Sequence, residues 1–194
     1  MMTLDAEQIR IVPLTGENWT DLEALFGPRG AVGGCWCMYW RQTRAEYDRF
    51  KGEANRGAFH DIVVSGDPVG LLAYDNEEPV GWCAVAPRDD FPALDRSRVL
   101  KRVDTQPVWS VVCFFVKRSH RHQGLTVRLL KAAVEFAANH GATIVEGYPI
   151  EPRKPETPPV FAFTGLKSAF LQAGFEEVAR RSETRPIMRF VIER

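Results

Sequence analysis

The chain has 194 residues, and its 25 basic and 25 acidic side chains give a formal net charge of zero at neutral pH. This length is enough for one well-buried domain and short for two. A balanced charge argues against a general nucleic-acid binder or a membrane-surface binder, because both need a basic excess. We therefore expect one globular domain over residues 1–194, with neither nucleic acid nor membrane as a partner.

The N-terminus and the cysteines indicate the compartment. Met1 to Asp5 lacks the positive start and the apolar stretch of a secretory signal, and no apolar run approaches the length of a membrane span. We expect a cytoplasmic location with reduced thiols. Cys35 and Cys37 invite a zinc interpretation, but a structural zinc site generally needs four ligands and no second cysteine pair follows. We expect no metal.

Hydrophobic periodicity and turn residues predict the elements of the first half. They are a strand, a short helix, an irregular turn, an aromatic and sulfur patch, two helices separated at Gly57, and two strands joined as a hairpin. In chain order these are Ile9 to Leu14, Thr20 to Phe26, Gly27 to Gly34, Cys35 to Trp40, Thr43 to Asn55, Ala58 to Ser65, Leu71 to Asp75 and Pro79 to Ala86.

The second half alternates strands and helices. It comprises an apolar strand, a long amphipathic helix, a strand, a proline-rich loop, a second helix and two closing strands. These are Val108 to Val116, Leu125 to His140, Thr143 to Tyr148, Ile150 to Val160, Gly165 to Ala173, Glu176 to Ala179 and Ile187 to Ile192. This order of elements predicts an α/β fold with a mixed sheet.

The most informative segment is the basic, glycine-containing turn between the strand ending at Val116 and the helix starting at Leu125. Free N–H groups at a helix N-terminus point outward, and the helix dipole favours an anion there. Gly124 lets the backbone approach a ligand that a Cβ would keep away. The turn therefore predicts phosphate binding; the alternative is a solvated basic turn that caps an ordinary helix.

The residues Arg121, His122, Gln123, Gly124, Leu125 and Thr126 resemble the Arg/Gln-x-x-Gly-x-Gly/Ala signature of the GNAT superfamily of acyl-CoA-dependent N-acyltransferases. Thr126 departs from the usual Gly or Ala. The resemblance implies a single-domain GNAT-like fold, a mixed twisted sheet flanked by helices. It also implies acetyl-CoA as co-substrate, an acyl-CoA-binding core over residues 71–175 and an acceptor side in the N-terminal third.

The same resemblance implies particular cofactor contacts. The six residues Arg121 to Thr126 would cradle the pyrophosphate of coenzyme A. The pantetheine arm would pair with the backbone of Phe114, Phe115 and Val116, and a backbone N–H there would polarise the thioester carbonyl. The alternative role of these three residues is packing in the core, and both roles are compatible.

Amine acylation requires a neutral amine, and an acid can protonate the leaving thiolate, so acid–base groups are expected beside the thioester. Glu146 and Tyr148 are two residues apart on one strand and share a face. We expect Glu146 as the base and Tyr148 as the acid; the alternative is an ion pair beside a packed ring. Many members of the resembling family place a Tyr four residues before a Gly-Phe pair, whereas this chain has Phe170 before Gly174.

The aromatic patch offers an acceptor pocket. Trp36, Tyr39 and Trp40 present ring faces to an apolar or cationic substrate. The alternative is a core plug beneath the N-terminal helices.

Three functions follow from these patterns. The first is an N-acyltransferase that moves an acetyl group from acetyl-CoA to a small-molecule amine. The second is a non-catalytic acyl-CoA sensor of the same fold, suggested by Phe170. The third, an unrelated nucleotide-binding domain, lacks the Gly-x-x-x-x-Gly-Lys-Ser/Thr pattern that would support it. A homodimer is compatible with the sequence.

Overall fold

A computed structural model describes residues 9–152 and 162–193. Seven strands form one mixed sheet in the order β1-β2-β3-β4-β5-β7-β6, and this confirms the predicted α/β fold. The strands are β1 (Ile9–Pro13), β2 (Gly70–Asp75), β3 (Glu78–Pro87), β4 (Trp109–Val116), β5 (Ile144–Gly147), β6 (Glu176–Arg180) and β7 (Pro186–Val191). The helices are α1 (Trp19–Phe26), α2 (Arg44–Phe50), α3 (Glu53–Val64), α4 (Pro92–Asp95), α5 (Leu125–Asn139) and α6 (Lys167–Gln172).

The two faces of the sheet bury different cores, because successive side chains of a strand point to opposite sides. Val111 of β4 joins the cluster formed with α5 and α6, which includes Leu129 and Phe170. Val112, the next residue, joins the aromatic cluster under α1 and α3, which includes Trp40. We call these the α5 face and the aromatic face.

Strands β4 and β5 pair over only three positions before they separate. They pair in parallel only from Trp109 opposite Val145 to Val111 opposite Gly147. β4 continues to Val116 and stays paired with β3 on its other side. Pro149, which follows soon after β5, cannot donate to a ladder. The side of β4 that faces β5 is therefore unpaired with it beyond Val111, and we call the space along Val112–Val116 the edge gap.

The helix boundaries between residues 43 and 65 differ from the prediction. Thr43 caps α2, with Glu46 completing a capping box as the sequence pattern favours. The break then falls at Gly52, whose φ of 89° lies in the left-handed region. Gly57, the predicted breaker, lies inside α3. A glycine stops a helix only where the backbone needs a positive φ, and Gly57 is not at such a position.

Most of the loop predicted over Ile150–Val160 lies outside the described residues, which stop at 152 and resume at 162. Within the described residues, no helix combines the length and the apolarity needed to cross a bilayer.

Two glycine substitutions test these backbone assignments. A Cβ added at Gly52 or at Gly57 meets no atom within 4 Å, so the two sites differ mainly in backbone conformation. Gly57→Ala should raise the free energy of unfolding by about 0.5–1 kcal/mol, because alanine is the better helix former. Gly52→Ala should lower it by about 1–2 kcal/mol through the left-handed backbone. Urea unfolding of both variants measures the difference, and equal effects would contradict the boundary.

Candidate functional site

The turn after β4 presents free backbone donors. Gly124 adopts a left-handed conformation, with φ of 78°, and caps the N-terminus of α5. Among the described residues, no backbone acceptor lies within hydrogen-bond distance of the N–H groups of Gly124, Leu125 and Thr126. A Cβ on Gly124 would point into open space, because nothing lies within 4 Å of it. The donors and the positive end of the α5 dipole therefore face an accessible site for an anion.

Side chains of the turn hold its shape. Arg121 Nε donates to Val116 O over 3.0 Å, which ties the turn to the last residue of β4. Gln123 Nε2 donates to Ser119 O over 2.7 Å, and His120 Nε2 lies 3.0 Å from Asp75 Oδ2. His122 is exposed and has a φ of 60°, another left-handed residue beside Gly124. The turn is thus fastened to both β4 and β2.

The edge gap is already filled by the chain itself. Trp40 Nε1 donates to Val112 O over 3.1 Å. The Phe114 N–H donates to Phe163 O over 2.6 Å. Both contacts use backbone groups on the side of β4 that β5 leaves unpaired. No local sequence pattern indicated the contact made by Phe163.

Alternation along β4 separates its three predicted backbone contacts. Because the Phe114 N–H points into the edge gap, the backbone groups of Phe115 point toward β3, where Phe115 lies opposite Trp82. The Lys117 N–H also points to β3 and donates to Val80 O, so Val116 faces the edge gap like Phe114. The geometry therefore offers Phe114 and Val116, not Phe115, as backbone partners for a ligand in the gap.

The aromatic patch divides into two parts. Trp40 stacks on Phe163 with ring centroids 6.3 Å apart, and Tyr39 meets Phe163 edge-on at 5.9 Å. Trp36 instead lies in the core against Trp19, at 6.0 Å. A Cβ on the neighbouring glycine at position 30 would come within 2.2 Å of the Trp36 indole nitrogen. Tyr39 and Trp40 therefore border the edge gap, whereas the structure favours the packing role for Trp36.

Glu146 and Tyr148 come together on the aromatic face, and both are buried, with 1% and 0% of their surface exposed. The Tyr148 hydroxyl donates to Glu146 Oε1 over 2.7 Å, and Arg88 Nη1 donates to the same oxygen over 3.0 Å. Arg189 Nε donates to Glu146 Oε2 over 2.7 Å. Both carboxylate oxygens are thus engaged by donors.

The network around Glu146 reaches two further carboxylates. Arg88 Nη2 donates to Asp95 Oδ1 over 2.8 Å, and Arg189 Nη1 donates to Asp104 Oδ2 over 2.6 Å. The Arg189 contact lowers the pKa of Asp104 to about 2. Sequence reasoning missed both arginines, because Arg88 follows β3 and Arg189 lies on β7, both far from Glu146 in the chain. This closed network favours the alternative role of Glu146, an ion pair beside a packed ring.

Tyr148 is poorly placed to donate a proton in the state described, and Phe170 has no proton to donate. Burial raises the pKa of Tyr148 well above its ordinary value, and Ser110 Oγ lies 2.8 Å from its hydroxyl. Phe170 is fully buried and meets Phe114 edge-on at 6.2 Å. The Phe170 ring packs beneath Gly147. This position therefore contributes packing and no proton donor.

The cysteines form no metal centre in the part of the chain that the structure describes. Cys37 Sγ accepts a hydrogen bond from Trp82 Nε1 over 2.9 Å, and all four cysteines are free thiols. No group of three or more His, Cys, Asp or Glu residues is placed there to hold an ion.

A seven-stranded mixed sheet, a parting of β4 from β5 and a glycine-capped turn at the start of α5 agree with the acyltransferase fold that the sequence resembles. Residues 34–150 match the model of the acetyltransferase (GNAT) family. The match covers more than half of the chain, so the protein belongs to this family. Among curated protein sequences, none matches the chain.

Solved structures share the fold at low identity. An acetyltransferase of the GNAT family from Listeria monocytogenes is similar with a TM-score of 0.57, at 8% identity and 95% coverage of each chain. The PaiA N-acetyltransferase from Thermoplasma acidophilum, in complex with coenzyme A, gives 0.53 at 15% identity, covering 95% of this chain and 99% of that one. The aminoglycoside acetyltransferase AAC(6')-Ib in complex with coenzyme A gives 0.55 at 18% identity and 94% coverage of each.

A substitution of Glu146 distinguishes a catalytic role of this residue from a structural role. Glu146→Gln leaves Arg88 and Arg189 without their shared carboxylate, and it should lower the free energy of unfolding by about 3 kcal/mol or more. Thermal and urea unfolding measure this, with Glu135→Gln on the exposed side of α5 as the control. An unchanged stability, together with a turnover loss of about a hundredfold, would instead identify Glu146 as the base.

Proposed function

We propose that the protein is a cytoplasmic N-acetyltransferase that moves an acetyl group from acetyl-CoA to the amine of a small molecule. The observation that carries this is the edge gap of β4 leading directly into the Gly124 turn. Solved structures of similar fold that hold coenzyme A support it, as does an aminoglycoside acetyltransferase among them. The proposal applies equally to a monomer and a homodimer.

Each part of the site has a chemical task in this proposal. The N–H groups of Gly124 to Thr126 bind the pyrophosphate, with Arg121 bracing the turn. The arm of the cofactor runs along Val116 and Phe114, and the Phe114 N–H donates to the thioester oxygen as negative charge develops there. The amine attacks the carbonyl carbon, the carbon–sulfur bond breaks, and coenzyme A leaves as its thiolate.

The acceptor side is formed by Tyr39 and Trp40. Their rings border the edge gap on the aromatic face, so an amine that approaches Phe114 from this face passes over them. The amine must also lose a proton. Glu146 and Tyr148 lie on this same face, and their acid–base roles stay predictions that the Glu146→Gln comparison tests.

The second proposed function, an acyl-CoA sensor, is favoured by two observations. Phe170 provides no proton donor, and the Phe163 carbonyl already accepts from the Phe114 N–H that the first proposal assigns to the thioester oxygen. Acetyl-CoA binding without turnover across a broad amine panel would support the sensor. Steady turnover with any amine, measured by the release of the free thiol of coenzyme A, would exclude the sensor function.

A substitution in the turn tests the pyrophosphate site. Gly124→Glu places a carboxylate where phosphate would lie, and affinity for acetyl-CoA should fall by about a hundredfold through crowding and charge repulsion. Gly141→Glu is the matched control, because Gly141 also has a positive φ, of 82°, and open space around its Cβ at the other end of α5. Calorimetry should show normal binding in the control. Equal affinity in both variants would remove the pyrophosphate assignment.

A second substitution tests the edge gap. The arm of the cofactor and the Phe163 carbonyl compete for the Phe114 N–H, so binding must displace the turn that holds Phe163. Phe163→Ala removes the stacking on Trp40, worth about 0.5–1.5 kcal/mol. Acetyl-CoA should therefore bind roughly three- to tenfold more tightly.

Phe136→Ala is the control for this test, since Phe136 packs on Trp109 and His140 on α5, away from the gap. Calorimetry and stopped-flow binding compare the two variants. An affinity that stays the same or weakens in Phe163→Ala would show that the turn does not compete with the cofactor.

A further inference from the structure

Arg185 lies at the edge of the proposed acceptor side. It directly precedes β7, and strand alternation places it with Ile187 and Arg189. Ile187 belongs to the aromatic cluster, and Arg189 contacts Glu146. Arg185 therefore extends from the sheet on the aromatic face, where the acceptor would bind.

The charge of Arg185 has no acidic partner among the residues that the structure describes. Its side chain is half-buried, and burial lowers its pKa below the ordinary value. Its one hydrogen bond to a described residue is a long contact of 3.4 Å, from Nη1 to Thr164 Oγ1. Within the described ranges, no carboxylate lies within ion-pair distance of Arg185. A partly desolvated cation without a counter-charge is costly unless a ligand supplies one.

Neighbouring arginines on the same face show the contrast. Arg88 contacts two carboxylates, those of Asp95 and Glu146. Arg189 also contacts two, those of Asp104 and Glu146. The charges of these two arginines are therefore paired with carboxylates inside the protein, where they stabilise the fold. Arg185 is less buried than either, and no carboxylate of the described residues pairs with it.

The position of Arg185 connects it to the edge gap. Its partner Thr164 is fully buried and follows Phe163, whose carbonyl accepts from the Phe114 N–H. The Phe163 ring meets Tyr39 edge-on. The guanidinium thus contacts the residue next to Phe163, whose carbonyl accepts from the Phe114 N–H, and Tyr39 is close enough to act on its charge.

We propose that Arg185 binds a carboxylate that one of the two substrates carries, either the acceptor amine or the acyl-CoA. This inference rests on the proposed acetyltransferase function. The carboxylate has two sources, an amino-acid-like acceptor or an acyl group that ends in a carboxylate. Arginine suits either, because its planar fork accommodates both carboxylate oxygens at once.

Matched ligands distinguish these sources. In the first arm, acetyl-CoA is combined with aromatic amino acids and with the corresponding carboxamides. In the second arm, succinyl-CoA and butyryl-CoA are compared with one neutral amine. The proteins are the wild type, Arg185→Gln, Arg185→Lys and the control Arg49→Gln, which removes the same charge from an exposed position on α2.

The wild type should favour the carboxylate member of one arm by about ten- to a hundredfold in kcat/KM, mostly through KM. Arg185→Gln should abolish that preference while the uncharged member keeps its rate, Arg185→Lys should keep part of it, and Arg49→Gln should keep all of it. Equal rates for both members in both arms would overturn the inference. An equal loss on both members in Arg185→Gln would also overturn it, because a structural role predicts that result.

Ligand binding separates this inference from the proposed function. Thermal shifts with the same amino acids and carboxamides report the Arg185 contact without any turnover. A carboxylate-dependent shift that Arg185→Gln removes supports the Arg185 site even if acetyl-CoA fails to bind, in which case only the acetyltransferase proposal falls. Acetyl-CoA turnover with no carboxylate preference in rate or shift overturns the Arg185 site alone.

Discussion

A single buried carboxylate, that of Glu146, organises the central part of this protein. It accepts from Arg88, which follows β3, and from Arg189 on β7, and so it joins three strands at one point. The two arginines in turn hold the segment that carries Asp95 and Asp104. A buried charge requires such pairing, because removing one partner leaves the other desolvated and uncompensated. The network therefore fixes β5 at the place where it leaves β4.

The candidate site exists because β4 and β5 separate after Val111 and leave one side of β4 unpaired with β5. A parallel sheet normally satisfies both edges of an inner strand, but here β4 extends well past the end of β5. Backbone donors and acceptors near Phe114 then need partners, since unpaired buried polar groups are costly. Trp40 and Phe163 supply them in the described state. A ligand with its own amide groups is a natural competitor, which links the closed gap to the proposed path of acetyl-CoA.

The chain departs from the pattern of the resembling family at two positions, Thr126 in the turn at Gly124 and Phe170 on the α5 face. The turn at Gly124 keeps the conformation that anion binding needs, whereas Phe170 replaces a proton donor with a packed ring. Arg185 adds a cation that has no carboxylate partner among the described residues.

The sequence by itself determined the order of the main elements, the mixed α/β fold and the place of the glycine turn before α5, because periodicity, glycine positions and helix capping are local signals. It misplaced the break between α2 and α3, since composition does not reveal which glycine takes a positive φ. Only the tertiary structure decided that Glu146 lies between Arg88 and Arg189, that Phe163 fills the edge gap and that Arg185 has no carboxylate partner in residues 9–152 and 162–193. Each of these depends on residues far apart in the chain, whose proximity is set by strand order and register.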